Sequence, residues 1–458
     1  MKFLQGRSLP GELPSTLYEC ISGGIRRAVA PAYFRYQSKR ADWKHDPPRV
    51  RKPRRRDAPK HVLVIVIDAL RPDSAPNLPL EFTTCITPGT WTFPSVTSIH
   101  SGLYPHEHEA IAHTYPDDES YAIPAQPTDI RTLPAEFEVV GYDTYAGCAF
   151  MVPFLALRGW YQTHRVYRNA RSEVVLEGYR NWRRNQTRSF AYLHLSDLHT
   201  PISPPKRYRG GLPGEEYVLT DDGTHELRHS NRCEVYDGCP DCREFRKRRL
   251  ELYKCALKYV EDQLRPLIEE VRDDTLIVVT GDHGEAVGEH YELDYQFTDS
   301  RPNAGVGHGG TPFDSVARVP LGILTPDEPA FLPVGGWANL IDLPGTVLAS
   351  VTDEEQNPFP GMRWQEPIPE DRTVFCEASR FGTERKAAYC GPRKLIRSET
   401  DDVTLTAQVV QDGEQFRQIP EDIESELLDA LPPSWDSIKP TPQVSKTVRD
   451  RLEELGYT

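Results

Sequence analysis

A chain of 458 residues, 38% hydrophobic and 27% charged, has the composition of a globular protein with two or three folding units. Its net charge of −14, carried with 41 Arg but only 13 Lys, argues against a nucleic-acid surface overall and suits solubility in strong brine, although an Arg-rich codon bias gives the same composition. No stretch approaches the ~20 apolar residues that span a bilayer. Met1 to Leu13 lacks the apolar run of a signal peptide, and no apolar region follows the Arg26-Arg27 pair, so the expectation is a cytoplasmic protein whose nine cysteines are thiols or metal ligands rather than disulfides.

Residues 1–60 read as an N-terminal extension, with a short helical turn over Gly24 to Ala30 stopped by Pro31. Arg49 to Arg56 (RVRKPRRR) is a basic, proline-broken run, either a solvated linker or a contact for an acidic partner. The core opens at Val62-Leu63-Val64-Ile65-Val66-Ile67. Such a continuous β-branched apolar run marks a strand buried on both faces of a parallel sheet. Phe190 to Leu195 and Thr275 to Thr280 look alike, and Phe245 to Val271 has helical spacing of apolar residues. Strands alternating with helices predict an α/β fold with a mainly parallel central sheet flanked by helices, spanning residues 61–365 with an insertion near 200–245. After that the texture changes. Val374 to Glu377 and Val403 to Val410 predict antiparallel strands, and Ser445 to Leu455 an amphipathic helix, in a smaller α+β C-terminal subdomain over residues 366–458.

In a parallel sheet ligands gather at the carboxyl ends of the strands, and all three predicted strands end in polar residues. The first runs into Asp68, either a hard oxygen ligand for a divalent ion or a helix cap. The third runs into Gly281-Asp282-His283-Gly284-Glu285, where an adjacent oxygen and imidazole can serve one ion. His290 and His308 follow, the latter in a Gly-His-Gly-Gly turn that is either a ligand site or an ordinary glycine loop. Thr92 precedes Pro94 and a predicted helix over Ser95 to Ser101. Its hydroxyl there is a simple cap, or a nucleophile beside an anion site at the helix N-terminus. The middle strand leads to Asp197 and His199, with His199 able to donate a proton or hold a substrate oxygen and Asp197 to orient it, or to cap a helix. Within the insertion, Cys233, Cys239 and Cys242 with His225 and His229 form either a structural zinc knuckle or a loop of plain thiols.

In order along the chain, these motifs resemble the sulfatase family of the alkaline phosphatase superfamily. The resemblance rests on the strand ending in Asp68, Thr92-x-Pro94-Ser95, Ser101-Gly102-Leu103-Tyr104-Pro105, Asp197-x-His199-x-Pro201, Asp282-His283-Gly284-Glu285, Arg318-Val319-Pro320-Leu321 and the ending Leu452 to Tyr457. It implies a divalent metal ion (Ca, Mg, Mn or Zn) on Asp68, Asp282 and His283. It also implies Thr92 as nucleophile, His199 at the ester or leaving group, and His308, with His290, at the anion or a second metal. The implied substrate is a small sulfate or phosphate ester. The chain departs from the family pattern in two respects. Thr92 stands where Cys or Ser is oxidised to formylglycine, with Val96 in place of the motif's Arg, and Ala69 stands where a second Asp is frequent. Thr-x-Pro is instead similar to the nucleotide pyrophosphatase/phosphodiesterase branch. The rival expectations are a phosphotransferase or mutase of the same superfamily, and an inactive binding module.

Overall fold

The computed structural model describes residues 23–112, 123–219, 225–228, 238–299, 305–326, 331–377, 380–411 and 413–435. Cys233, the expected helix at 445–455 and the ending Leu452 to Tyr457 lie outside these residues.

Seven strands form the central sheet: β1 (His61–Ile67), β2 (Phe82–Ile86), β3 (Asp143–Cys148), β4 (Thr163–Val166), β5 (Ser189–Leu195), β6 (Thr275–Thr280) and β7 (Arg318–Leu324). Their order is β2-β7-β6-β1-β5-β3-β4. The five strands from β6 to β4 are parallel, and β7 runs antiparallel to β6 and β2. Every residue of β1, β5 and β6 is buried, as their uninterrupted apolar runs require of strands covered on both faces. In register, Val66 of β1 lies opposite His194 of β5 and Thr280 of β6, so the residues following these strands emerge together at one edge.

Three helices cover the sheet and matter for the site: α2 (Thr92–Ser101), α3 (Ser172–Arg183) and α4 (Pro240–Val271). All ten residues of α2 are buried. Two of its hydroxyls are satisfied within the helix, Thr97 donating to Phe93 O and Ser101 to Thr97 O, each at 2.9 Å. His100 bridges Val96 O and the Tyr161 hydroxyl.

The N-terminal region differs from the short turn expected there. A helix α1, Gly23–Lys44, runs through Pro31. An internal proline costs about 3 kcal/mol, but Pro31 itself is exposed while Ala30, Phe34, Gln37, Ser38 and Ala41 are buried. That helical stripe packs on the edge strand β4. Ser38 Oγ accepts from Val166 N at 3.0 Å and Asp42 Oδ1 from His164 N at 2.7 Å, so α1 also satisfies backbone donors of an edge strand. Tertiary packing outweighs the local signal of the proline.

Five antiparallel strands follow the core: β8 (Thr373–Cys376), β9 (Lys386–Cys390), β10 (Arg393–Ser398), β11 (Val403–Val410) and β12 (Gly413–Phe416). Helix α5 (Glu421–Ala430) covers one face through Leu427, Ala388 and Leu395. The other face joins Ile86, Phe297, Phe313 and Ala317 in a second apolar cluster.

Candidate active site

At the carboxyl edge of the sheet, Asp68, Asp282 and His283 converge, fully buried, with one ligand atom of each within 4.8 Å of the others. His283 Nε2 stands 3.5 Å from Asp68 Oδ1 and 3.5 Å from Asp282 Oδ2. Those two carboxylate oxygens are buried without a hydrogen-bond partner. His283 Nδ1 donates to Gly284 O at 2.8 Å, which leaves its Nε2 lone pair toward the carboxylates. Two orphaned oxygens and one imidazole acceptor are a donor set that fits a divalent cation.

The electrostatics carry the mark of a missing positive charge. Burial and the neighbouring Asp68 push Asp282 up to about 8. Burial would also raise Asp68, but His199, His194 and His283 outweigh it and hold that carboxyl below its usual range. Burial likewise pushes His283 down, against the pull of Asp68, so its ring is held neutral, the form that ligates metal. The turn itself is fixed by close approach. A Cβ on Gly284 would meet Ser315 O at 2.1 Å, and Gly284 N and Glu285 N donate to Val316 O and Ser315 O.

Thr92 is the first residue of α2. Its Oγ1 lies 3.3 Å from Asp68 Oδ2, to which it can donate, and 3.3 Å from His283 Nε2. Trp91, in the capping position, has extended backbone and makes no side-chain cap; Pro94 has no N–H and Ser95 N donates to Trp91 O, so the amides of Thr92 and Phe93 are the ones left without a capping side chain. The chain before it is tied down by Ser95 Oγ donating to Gly89 O, Thr87 Oγ1 donating to Asp282 O and Gly309 N donating to Thr90 O.

Three more side chains close the group. The rings of His308 and His283 stack with centroids 4.3 Å apart, and His199 lies 5.0 Å from His308. His308 Nδ1 donates to Glu285 Oε2 at 2.7 Å; Glu285 Oε1 accepts from Arg249 Nη2 at 2.9 Å and from Thr200 Oγ1 at 3.4 Å. Burial alone would raise Glu285, but His308 and Arg249 reverse this and hold it at about 2. His199 Nδ1 donates to Thr200 O at 2.5 Å, and burial pushes its ring toward the neutral form. Beside His199 opens a cleft of about 250 Å³ lined by Phe150, Asn169, Arg171, Ser196 and Ser203.

Other expected residues fall elsewhere. His290 does not join the cluster; it sits against Phe313 and Phe416 with Nε2 3.3 Å from Glu414, because the chain after Val287 turns toward the C-terminal sheet. Asp197 Oδ2 accepts from both the amide and hydroxyl of Ser172 and so secures the start of α3, the capping role rather than the orienting one. Cys239 and Cys242 bring their sulfurs to 3.2 Å at the start of α4.

Sequence reasoning missed His194, whose Nε2 donates to Asp68 Oδ2 at 3.0 Å while Nδ1 accepts from the Tyr192 hydroxyl at 2.8 Å. A histidine in an otherwise apolar, buried strand was the available signal. Glu285 stood in the quoted motif without a role. Arg249 left no sequence signal on its helix.

A family model described as Sulfatase matches residues 71–348. Among solved structures, the phosphonate monoester hydrolase of Silicibacter pomeroyi is 17% identical with a TM-score of 0.55, the match covering 81% of this chain and 93% of that one. The phosphonate monoester hydrolase of Agrobacterium radiobacter is 15% identical with a TM-score of 0.55, covering 81% and 94%. A Vibrio parahaemolyticus protein of the alkaline phosphatase superfamily is 12% identical with a TM-score of 0.50, covering 86% and 93%. At these identities the likeness is one of fold. No curated protein matches the chain.

Proposed function

The chain belongs to the sulfatase family of ester hydrolases, and from that membership we propose that it cleaves small sulfate or phosphate esters with Thr92 as nucleophile and a divalent metal ion as cofactor. The observation that carries this reading is the place of the Thr92 hydroxyl, 3.3 Å from both Asp68 and His283, over two carboxylate oxygens that lack a partner. Asp68, Asp282 and His283 would hold the ion. When bound, such an ion lowers the pKa of an adjacent hydroxyl and neutralises a non-bridging ester oxygen.

The chain's own residues supply the rest. Thr92 Oγ1, its proton given up to solvent, forms a bond to phosphorus or sulfur as the bond from that atom to the alcohol oxygen breaks. The free amides at the start of α2 and His308, held through Nδ1 by Glu285, steady the charge on the equatorial oxygens. His199 serves the leaving alcohol: its Nδ1 is committed to Thr200 O, so a proton carried on Nε2 passes to the departing oxygen. An ester anion beside the ring favours that protonated form, opposing the effect of burial. Water then attacks the Thr92 ester, giving one proton to His199 and its OH to phosphorus or sulfur, while the departing Thr92 oxygen takes back a proton from solvent. The cleft beside His199 is the place for the alcohol.

A threonine cannot be converted to formylglycine, so phosphoester cleavage through a covalent phosphothreonine is favoured over sulfate chemistry. The test compares an aryl sulfate, an aryl phosphate and a bis-aryl phosphodiester, with each of the four metals, on wild type and Thr92→Ala. Phosphoester turnover should fall at least about a thousandfold in the variant. Undiminished turnover by Thr92→Ala would overturn the nucleophile assignment. Transfer to an added alcohol in preference to water would instead favour the phosphotransferase reading.

A further inference from the structure

The positive charge of this acidic chain is concentrated in one place. Residues 23–60 carry thirteen Lys and Arg against three Asp, a net +10 in a chain whose total is −14. The structure seats the later part of that segment, residues 40–60 with nine Lys and Arg against three Asp, at the end of the central sheet opposite the active site. Helix α1 runs antiparallel to β4, Ser38 meeting Val166 and Asp42 meeting His164, so its last turn reaches the edge where the parallel strands begin. From there residues 45–60 form a strap along that edge. His45 bonds Gly159 O and Glu138, Lys52 N donates to Val139 O, and Arg55 N donates to Val351 O. Tyr142 then donates to Pro59 O, and Ser189 N to Lys60 O. Seven-residue β1, about 20 Å long at 3.3 Å per residue, separates this pole from Asp68.

The strap is crowded with cations. Lys44 is pushed down by burial and by Arg158 and Arg40. His61, at the start of β1, is pushed down to about 4 by burial with Arg183, Lys60 and Arg188 nearby, against the opposing pull of Asp274. The Nε atoms of Arg54, Arg158 and Arg188 are buried without a partner. Four carboxylates of this pole are engaged, Asp42 by His164, Glu138 by His45, Asp274 by Arg183 and Glu354 by Lys52, while Asp46, Asp57, Asp143 and Asp353 are exposed beside the more numerous cations. Lys44, Arg49, Arg51, Arg56 and Lys60 are exposed. Among them stand two large apolar side chains, Trp43 at 75% and Val50 at 61% exposure.

We propose that this basic pole, built from the end of α1 and the strap 45–60, docks on an anionic lipid surface and leaves the active site facing away from it. Charge complementarity supplies the attraction. An exposed Trp among Lys and Arg is the arrangement that inserts a ring at headgroup level. A nucleic-acid partner would use the same cations, but the exposed aliphatic Val50 beside Trp43 favours lipid, and competition by nucleic acid separates the two.

The experiment is co-sedimentation of the full chain with vesicles of phosphatidylcholine alone or mixed equally with phosphatidylglycerol, over a range of salt. Binding to the anionic vesicles alone, weakening as salt rises, is expected. The triple variant Lys44→Glu/Arg49→Glu/Arg56→Glu, all at exposed positions, should lower partitioning about fivefold per cation, roughly two orders of magnitude in all, with hydrolysis of a soluble ester unchanged. Trp43→Phe should abolish a blue shift of the wild-type fluorescence on vesicle addition without touching the charge. Equal binding to neutral vesicles, no binding at low salt, binding unaffected by the triple variant, or displacement from vesicles by duplex DNA or RNA would each overturn the proposal.

Discussion

Asp68 Oδ1 and Asp282 Oδ2 are buried oxygens without a donor in a cluster with His283, and the divalent ion proposed above would satisfy both. Asp282→Asn removes one anionic ligand and should lower metal affinity at least about tenfold, read as metal retained per chain after gel filtration. Glu285→Gln tests the layer behind. It leaves Arg249 beside a neutral amide and loosens the His308 ring, so activity should fall about 10- to 100-fold with the metal still bound. Asp282 and His283 were legible because a turn flanked by glycines at a strand end has little reason to carry that pair unless it binds. His194 was not, since its strand reads as one apolar run and only the β1–β5 register brings it to Asp68. Arg249 was invisible for a different reason: a cation on a long helix is ordinary until the fold lays it against Glu285.

At the scale of elements, the seams between α1, the C-terminal sheet and the core are polar. His45 is raised above its usual value because its bond to Glu138 outweighs the burial that would lower it. Its stabilising effect is therefore present below about pH 6.5 and lost as pH rises through the folded value. Trypsin cleavage within the Arg-rich run 49–56 should accelerate over that rise, and His45→Ala should remove the pH dependence. In the other seam, burial would raise Asp314, but Lys394 and Arg318 overcome it and hold it low. That contribution is present above about pH 3.8 and is lost as pH falls through the depressed value. Asp314→Asn leaves two buried cations short of a partner and should cost about 3–5 kcal/mol, measured by denaturant unfolding. The core strands were readable because their burial is continuous. The course of α1 through Pro31 was not, because the compensating contacts lie on β4, far along the chain.

At the scale of the whole molecule, the alternation of strands and helices foretold a mainly parallel central sheet flanked by helices, and both the match to the Sulfatase model and the fold agree. The polarity of charge was less visible, because only the folded sheet shows that the basic run and the candidate site occupy opposite ends. Outside residues 23–60 the chain carries a net −24, and screening of that excess should keep the protein folded in molar salt. Far-ultraviolet circular dichroism that is unchanged in molar salt would bear this out. The seating of α1 has a further consequence for synthesis. Asp42 and its partner His164 are 122 residues apart, which at ribosomal speeds of 5–20 residues per second is roughly 6 to 25 seconds of elongation. Throughout that interval the residues of α1 have been made while the strand they rest on is incomplete. The nascent chain thus passes through a stage in which its most basic segment is free of the fold, and a factor that binds such segments on the ribosome would set when this domain closes.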